Sequence, residues 1–307
     1  MAVLAPVSGS AAPVPRRKRL SRALSDRRTR FGLLNATPVV VYLLILFVYP
    51  IFSTLMLSLK GADGGGFTLH WYTDAFRGAN LEILLTTLRI SVETSLLALV
   101  VGFALASAIS RLKPLWAGLV MLVVVVPHFI SALVRTYGWI ILLGDNGVVN
   151  NVLTDLHFPG APFQLLYNET GVVIGTTAVM LPYSVLLLYA VMKGIDRRLM
   201  AAAAGMGAGR ITIFRRVYVP LVAPGLVNAG VLSFILCLGY YLTPALMGGE
   251  KQTMVASLID EQVMKQNQWN GASALGIILL LLTFAGLLLL RLLKSAGEAL
   301  KKRGTTS

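Results

Sequence analysis

Six long apolar runs determine what this chain can fold into. The runs cover approximately Val39 to Leu59, Ile90 to Ile109, Trp116 to Val134, Gly171 to Met192, Val222 to Leu246 and Ala272 to Leu290. Each contains roughly 19 to 25 residues and would extend roughly 28 to 38 Å as an α-helix, which matches a hydrocarbon core about 30 Å thick. The runs therefore predict an all-α membrane protein with about six transmembrane helices.

The composition supports lipid as the solvent for much of the chain. Of the 307 residues, 56% are apolar and 13% are charged, which is more apolar surface than one soluble core can bury. The single cysteine, Cys237, excludes a disulfide or a thiolate metal cluster within one chain. The three histidines, His70, His128 and His157, lack paired ligand spacing, so we expect no metal site.

The position of the basic residues explains the formal net charge of +14. Such an excess fits either a nucleic-acid partner or the cytoplasmic flanks of membrane helices. The bases concentrate before the first run, after the last run and in two intervening loops, whereas the acids concentrate in the opposite loops. We therefore expect a multi-pass protein with both termini in the cytoplasm and no nucleic-acid partner.

The domain organisation follows from these runs. Residues 1–32 mix Ala, Pro, Ser and Arg without periodicity, which predicts a disordered basic cytoplasmic tail. Residues 33–295 form the predicted transmembrane domain, and residues 296–307 form a second cytoplasmic tail. The first apolar run is too long for a signal peptide, so we expect it to remain in the mature protein.

The longest predicted cytoplasmic loop covers about residues 194–220. Ala201 to Ala204 favour a helix, and the alternating glycines from Gly205 to Gly209 interrupt it. The apolar residues that recur at helical spacing after the glycines are Ile213, Phe214 and Val217. The pattern predicts two short helices at the membrane surface, with a new helix beginning near Pro220 because proline suits a first helical turn.

This loop resembles the hallmark of the integral-membrane subunits of type I binding-protein-dependent ABC importers. The hallmark reads Glu-Ala-Ala, three residues, Gly, nine residues, then an aliphatic residue, one more, Leu and Pro. The matching positions here are Ala202, Ala203, Gly207, Val217, Val219 and Pro220. Ala201 stands where the family has Glu, which removes one polar contact with the ATPase and leaves the small packing surface intact.

The resemblance implies the permease fold of a type I ABC importer in a bacterial inner membrane. It implies that the loop is a coupling helix in a groove of a separate ATPase, so the chain is not itself an enzyme and binds no cofactor. The implied coupling residues are Ala201, Ala202, Ala203, Gly207, Ala208, Arg210, Phe214, Val217 and Pro220. The implied partners are a second permease, two ATPase subunits that use ATP and Mg, an external solute-binding protein and membrane lipids. The alternative for the loop is an interfacial helix held by Arg and anionic lipid.

Three further stretches resemble the spermidine and putrescine branch of this class. They are residues 134–153, 239–249 and 267–276. The resemblance implies a small solute, with spermidine, putrescine or a related cation as the expected substrate. Relatives in this branch also carry sulfate, iron or other small amines.

Polar and aromatic groups near the apolar runs are candidates for the substrate path, because ionisable groups in a bilayer usually serve a path or a pair. The candidates are Glu93, Arg135, Tyr137, Trp139, Asp145, Tyr240 and Tyr241. All of these except Asp145 have a plainer alternative. Glu93 lies four residues from Arg89, so the two would neutralise each other. Arg135, Tyr137 and Trp139 would form an interfacial anchor belt. Tyr240 and Tyr241 would pack against neighbouring helices.

Two other functional classes remain as alternatives. A self-contained secondary transporter or channel would need its own complete pathway and, ideally, an internal repeat, and no convincing repeat is present. A membrane-embedded enzyme would need an acid, base or metal constellation that the sequence does not offer. The sequence favours a transport subunit that relies on a separate ATPase, because it contains no phosphate-binding loop.

Overall fold

The fold is built from helices throughout the part of the chain that the structure, a computed structural model, describes: residues 27–61 and 66–303. The first seven helices are α1 (Arg27–Ser58), α2 (His70–Ala75), α3 (Gly78–Ile109), α4 (Pro114–Val125), α5 (Ala132–Leu143), α6 (Val148–Asp155) and α7 (Glu169–Lys193). The remaining helices are α8 (Arg197–Gly205), α9 (Arg210–Ile213), α10 (Val219–Leu238), α11 (Leu242–Met247), α12 (Val255–Met264) and α13 (Trp269–Arg303).

The chain divides into two compact units, Met1–Thr54 and Leu55–Ser307. The described part of the first unit is α1 up to Thr54. The predicted disordered tail lies outside the described residues up to residue 26, but it is wrong for residues 27–32, because α1 begins at Arg27. At the other end α13 continues to Arg303, so the predicted tail at 296–307 is helical over most of its length.

The prediction of about six membrane spans is confirmed. Five helical segments are long and apolar enough to cross a bilayer: Ala36–Ser58, Gly78–Ile109, Glu169–Lys193, Arg210–Leu238 and Trp269–Leu288. A sixth candidate is a broken pair, Pro114–Phe129 followed by Ala132–Asp155, whose axes differ by 107°. The third apolar run is therefore two helices joined by a sharp bend and not one continuous helix; prolines within the runs, Pro127 among them, are expected to kink the helices locally.

The break in the third run has a local cause. After α4 the backbone tightens into a 3-10 turn at Val126–Phe129, and Pro127 within it has no amide hydrogen to continue the helix. Arg135 Nη1 donates to the carbonyl oxygens of Pro127 at 3.3 Å and His128 at 3.4 Å. The Pro127 carbonyl also accepts from the Ile130 amide at 3.3 Å, so an arginine on the next helix adds donors to the carbonyls at the bend, inside an apolar region.

The fifth run is also divided. α10 ends at Leu238, Gly239 follows it, and the separate helix α11 begins at Leu242. At its start, α10 continues from α9 through a π-helical turn at Phe214–Tyr218. The expected helix start near Pro220 is confirmed, since α10 begins at Val219 with Pro220 in its first turn, although the π-helical turn makes the helical path continuous from Arg210.

The core is formed by α3, α7 and α10, which pack closely against one another. Small residues at the contacts permit this close approach. Such contacts are typical of membrane helices, because lipid tails are as apolar as the side chains and helix association therefore depends on packing and hydrogen bonds. A Cβ added to Gly102 of α3 would lie 2.9 Å from the Cβ of Ser184 on α7. Ser184 Oγ in turn lies 2.9 Å from Ser233 Oγ on α10, so one buried hydrogen bond joins α7 to α10.

We predict that Gly102→Leu destabilises the protein by about 1 to 3 kcal/mol, because the added side chain must separate α3 from α7. The measurement is the thermal unfolding midpoint of the detergent-purified protein. Gly118→Leu is the matched control, since a Cβ at Gly118 meets no atom within 4 Å. Equal midpoints for the two variants would contradict the close approach of α3 and α7.

Candidate functional site

The first half of the predicted coupling loop is the helix α8. Asp196 caps its start, with Oδ1 accepting a hydrogen bond from the Arg198 amide at 2.9 Å. Ala201 and Ala202 are exposed, whereas Ala203 is buried. Ala201, at the position where the family has Glu, is therefore accessible, as is Ala202, the first alanine of the motif. Ala203, the second alanine, packs against the protein.

Gly207 terminates α8 in a left-handed conformation, with φ of +85°. The Gly207 amide donates to the Ala204 carbonyl at 3.0 Å, and the Ala208 amide donates to the Ala203 carbonyl at 3.1 Å. These two bonds are the Schellman pattern, in which glycine at this position satisfies the last carbonyls of the helix. No atom lies within 4 Å of a Cβ built on Gly207, so its backbone conformation, and not crowding, requires the glycine.

The second half of the loop is held to the core by three aromatic rings. Phe214 stacks on Tyr218 with ring centroids 5.9 Å apart. Phe103 of α3 meets both rings edge-on, with centroid distances of 6.2 Å in each case. The loop and α3 therefore share one aromatic cluster, Phe103, Phe214 and Tyr218, at the start of α10.

The other predicted coupling residues occupy the same segment. Arg210 is exposed at the start of α9, and Val217 is half-buried in the π-helical turn. Pro220 is exposed in the first turn of α10. The structure thus places all the predicted coupling residues on one continuous stretch, α8 to the start of α10.

Arg135 and Trp139, two of the predicted path residues, line a cavity of about 280 Å³ beside the bent α4. His128 and Pro182 also line it. His128 Nε2 and the Tyr183 hydroxyl share a hydrogen bond of 2.9 Å, which ties the bend to α7. No acidic residue is found among the described residues that line this cavity.

Tyr240 joins α10 to α5 through threonine hydroxyls. Thr243 Oγ1 lies 3.3 Å from the Tyr240 hydroxyl oxygen and 3.1 Å from Thr136 Oγ1. Thr136 and Thr243 are both buried. Through these hydroxyls Tyr240 is held beside Thr136 of α5, the residue that follows Arg135. Tyr240 lies after the end of α10, whereas the sequence predicts it within that helix.

The remaining predicted path residues do not line the cavity. Tyr137 and Tyr241 are exposed, and Asp145 is exposed in the turn after α5. Glu93 is exposed on α3. Within the described residues, these four do not converge with Arg135 and Trp139 on one cavity.

Arg89 pairs across helices and not along its own helix. Its Nη2 lies 2.6 Å from Glu169 Oε2, at the first residue of α7. Glu169, and not Glu93, therefore forms the ion pair with Arg89, so the alternative of a direct Arg89–Glu93 pair is not confirmed. The Glu93 carboxylate lies near the same pair, so the group contains two carboxylates and one guanidinium.

Sequence reasoning missed His128, Tyr183, Phe103 and Glu169. His128 was considered only as a metal ligand, although its position directly after Pro127 in an apolar run is a signal for a helix break with a polar partner. Tyr183 directly follows Pro182 in the same way. Glu169 and Phe103 carry no local signal, because their partners lie on distant segments.

Comparison with known proteins identifies the family. Residues 95–296 match the family described as binding-protein-dependent transport system inner membrane component. The chain belongs to this family. It is accordingly the permease subunit of an ABC importer, a multi-pass inner-membrane transport protein that is not an enzyme and works with a separate ATPase.

The permease resembles two characterised relatives along most of its length. It is 28% identical over 253 residues to the spermidine/putrescine transport system permease protein PotB of Haemophilus influenzae, covering 81% of this chain and 88% of the relative. It is 30% identical over 224 residues to PotB of Escherichia coli K12, covering 73% of this chain and 81% of the relative.

A solved structure supports the fold. A chain of a bacterial alginate ABC transporter, crystallised with an alginate-bound periplasmic protein, superposes with a TM-score of 0.66 and 19% identity. The match covers 90% of the permease and 95% of that chain. The predicted type I importer permease fold is therefore confirmed.

We predict that Gly207→Val weakens the retention of the ATPase subunit on the purified permease, because a β-branched residue resists the positive φ. The expected cost is about 1 to 2 kcal/mol or more, equivalent to at least a fivefold loss of affinity. Gly207→Asn should be tolerated better, since asparagine adopts this conformation more readily.

Gly205→Ala is the control, because Gly205 lies within α8 and a Cβ there meets no atom within 4 Å. Membrane insertion, measured as the amount of permease in the membrane fraction, should be the same for all three variants. Wild-type ATPase retention by Gly207→Val would refute the role of this conformation.

Proposed function

We propose that the permease forms half of the translocation pathway for a small organic cation of the spermidine and putrescine class. The observation that carries this proposal is the similarity to two permeases of spermidine/putrescine transport systems over 73% to 81% of this chain. The partners would be a second permease, homologous or identical, two ATPase subunits and an external solute-binding protein. ATP and Mg would be used by the ATPase subunits.

The proposed orientation places α8 and both chain termini in the cytoplasm. α8 must meet the ATPase there, and the basic residues concentrate in the same loops and ends of the chain. The ends of α3 near Ile109 and of α7 near Lys193 would then face the cytoplasm. The Arg89–Glu169 pair would lie toward the external side.

The geometry suggests how ATPase motion would reach the membrane. α8 is a short rod whose two ends are fixed by Asp196 and Gly207. The aromatic cluster of Phe103, Phe214 and Tyr218 then connects the same segment to α3. A displacement of the rod would tilt α10 and α3 together, since packed helices shift as rigid elements.

The charges of the described residues suggest where a cation would travel. Arg135 donates to the carbonyls of the bend, and its positive charge would repel a polyamine, so we assign Arg135 a positioning role. Glu93 offers an exposed carboxylate, and the ring of Tyr240 offers a face that attracts an ammonium. These two residues are the preferred cation contacts.

The direct test is uptake of labelled spermidine and putrescine by cells that lack their own importers and express the permease with its neighbouring transport genes. We expect uptake that requires the ATPase and the binding protein. Uptake by the permease alone would favour the secondary transporter. Uptake restricted to an anion such as sulfate would refute the proposed substrate.

We predict that Glu93→Gln lowers the spermidine uptake rate at low substrate concentration about tenfold, because a contact to a charged group contributes about 1.5 kcal/mol, which is roughly a factor of ten in affinity. Glu93→Asp should retain most of the rate. Glu82→Gln on the same helix is the control, since Glu82 is exposed and takes part in neither of the ion pairs found among the described side chains. Wild-type uptake by Glu93→Gln would exclude Glu93 from the path.

A further inference from the structure

A cavity of about 530 Å³ lies where the ends of α3 and α7 meet the predicted coupling loop, residues 194–220. It is lined by Ser110, Arg111, Met192, Lys193, Ile195, Met200 and Tyr218. Met192 and Tyr218 are buried, and Ile195 and Met200 are half-buried. One wall is therefore apolar, and the two charged residues of the lining, Arg111 and Lys193, are both basic and exposed.

Neither basic side chain pairs with an acid among the side chains that the structure describes. No carboxylate oxygen of that set lies within 4.0 Å of the Arg111 guanidinium or of the Lys193 ammonium. Lys193 Nζ lies 5.4 Å from the centroid of the Tyr189 ring, which orients the ammonium without neutralising it. The nearby acid, Asp196, already accepts a bond from the Arg198 amide.

The helix ends do not require these two cations. Basic residues often stabilise the last carbonyls of a helix, but here backbone amides meet them. The Arg111 amide donates to the Ala108 carbonyl at 3.1 Å, and the Gly194 amide donates to the Val191 carbonyl at 3.1 Å. The guanidinium of Arg111 and the ammonium of Lys193 are thus available to a ligand in the cavity.

We propose that this cavity binds the phosphate group of an anionic membrane lipid, with the apolar wall contacting its glycerol and upper acyl chain. The inference rests on the proposed orientation, which places the cavity at the cytoplasmic leaflet. Basic pockets between helices on that side attract anionic headgroups. Met200 and Tyr218 of the predicted coupling loop line the cavity, so a bound lipid would stabilise the position of this loop.

The test is native mass spectrometry of the full-length permease, purified with whatever subunits it retains and titrated with phosphatidylglycerol or phosphatidylcholine of identical acyl chains. We expect one phosphatidylglycerol per permease to bind with preference over phosphatidylcholine. Arg111→Gln combined with Lys193→Gln should weaken that binding about 30-fold, from about 1 kcal/mol per basic residue.

Two control variants keep the test decisive. Lys113→Gln removes a neighbouring base that does not line the cavity and should bind like the wild type. Arg111→Lys combined with Lys193→Arg retains both charges and should bind phosphatidylglycerol within a few-fold of the wild type, even if the double glutamine variant does not assemble.

Several results would overturn the proposal. These are equal binding of phosphatidylglycerol by the wild type and the double glutamine variant, loss of binding in the charge-retaining variant, and displacement of the lipid by millimolar inorganic phosphate. Loss of the ATPase from the double glutamine variant with unchanged lipid binding would assign the cavity to the ATPase instead. The titration needs no transport, so a failed uptake assay would refute the substrate proposal and leave this one standing.

Discussion

The structure depends on the close approach of α3, α7 and α10. Between membrane helices, lipid provides no hydrophobic drive, so packing and interhelical hydrogen bonds must hold the helices together. Gly102 against Ser184 and the Ser184–Ser233 hydrogen bond supply both kinds of contact. Other features lie against this core: the predicted coupling loop connects α7 to α10, and the bend after α4 is joined to α7 by the hydrogen bond between His128 and Tyr183.

The two ends of the core differ in how they are built. At the proposed cytoplasmic end, α8 is fixed by a cap at each terminus, and three aromatic rings join the segment to α3. At the other end, α3 and α7 are joined by the Arg89–Glu169 pair. The core therefore carries a capped helix with an aromatic cluster at one end and an ion pair at the other.

Much of the fold could be predicted from the sequence because hydrophobic length is a strong signal. The runs before Leu59 and from Gly171 to Met192 indicate spans directly, and the loop from Ala201 to Pro220 indicates the family. The size of the breaks could not be predicted in the same way. Pro127 marks a place where a kink is expected, but the 107° bend and the contact of the Arg135 guanidinium with the carbonyls of Pro127 and His128 are properties of the folded structure.

The site was predicted unevenly for the same reason. Gly207 was identified from motif spacing, but its positive φ and the Schellman bonds are properties of the folded loop. The sequence offers Glu93 as an alternative partner for Arg89 because helical neighbours are visible in sequence, whereas the ion-pair partner in the structure, Glu169, lies 80 residues away. Contacts between distant segments carry no local pattern, so sequence spacing predicts positions on one helix better than pairs on two helices.

The central claim is that the exposed face of α8 meets the ATPase on the cytoplasmic side. It is tested most directly by cysteine cross-linking in the assembled importer, after Cys237→Ala removes the chain's single native cysteine. A cysteine replacing exposed Ala202 should cross-link to the ATPase subunit, whereas a cysteine replacing buried Ala203 should not. Labelling of the Ala202→Cys variant by a membrane-impermeant thiol reagent added outside intact cells, without any cross-link to the ATPase, would contradict the account.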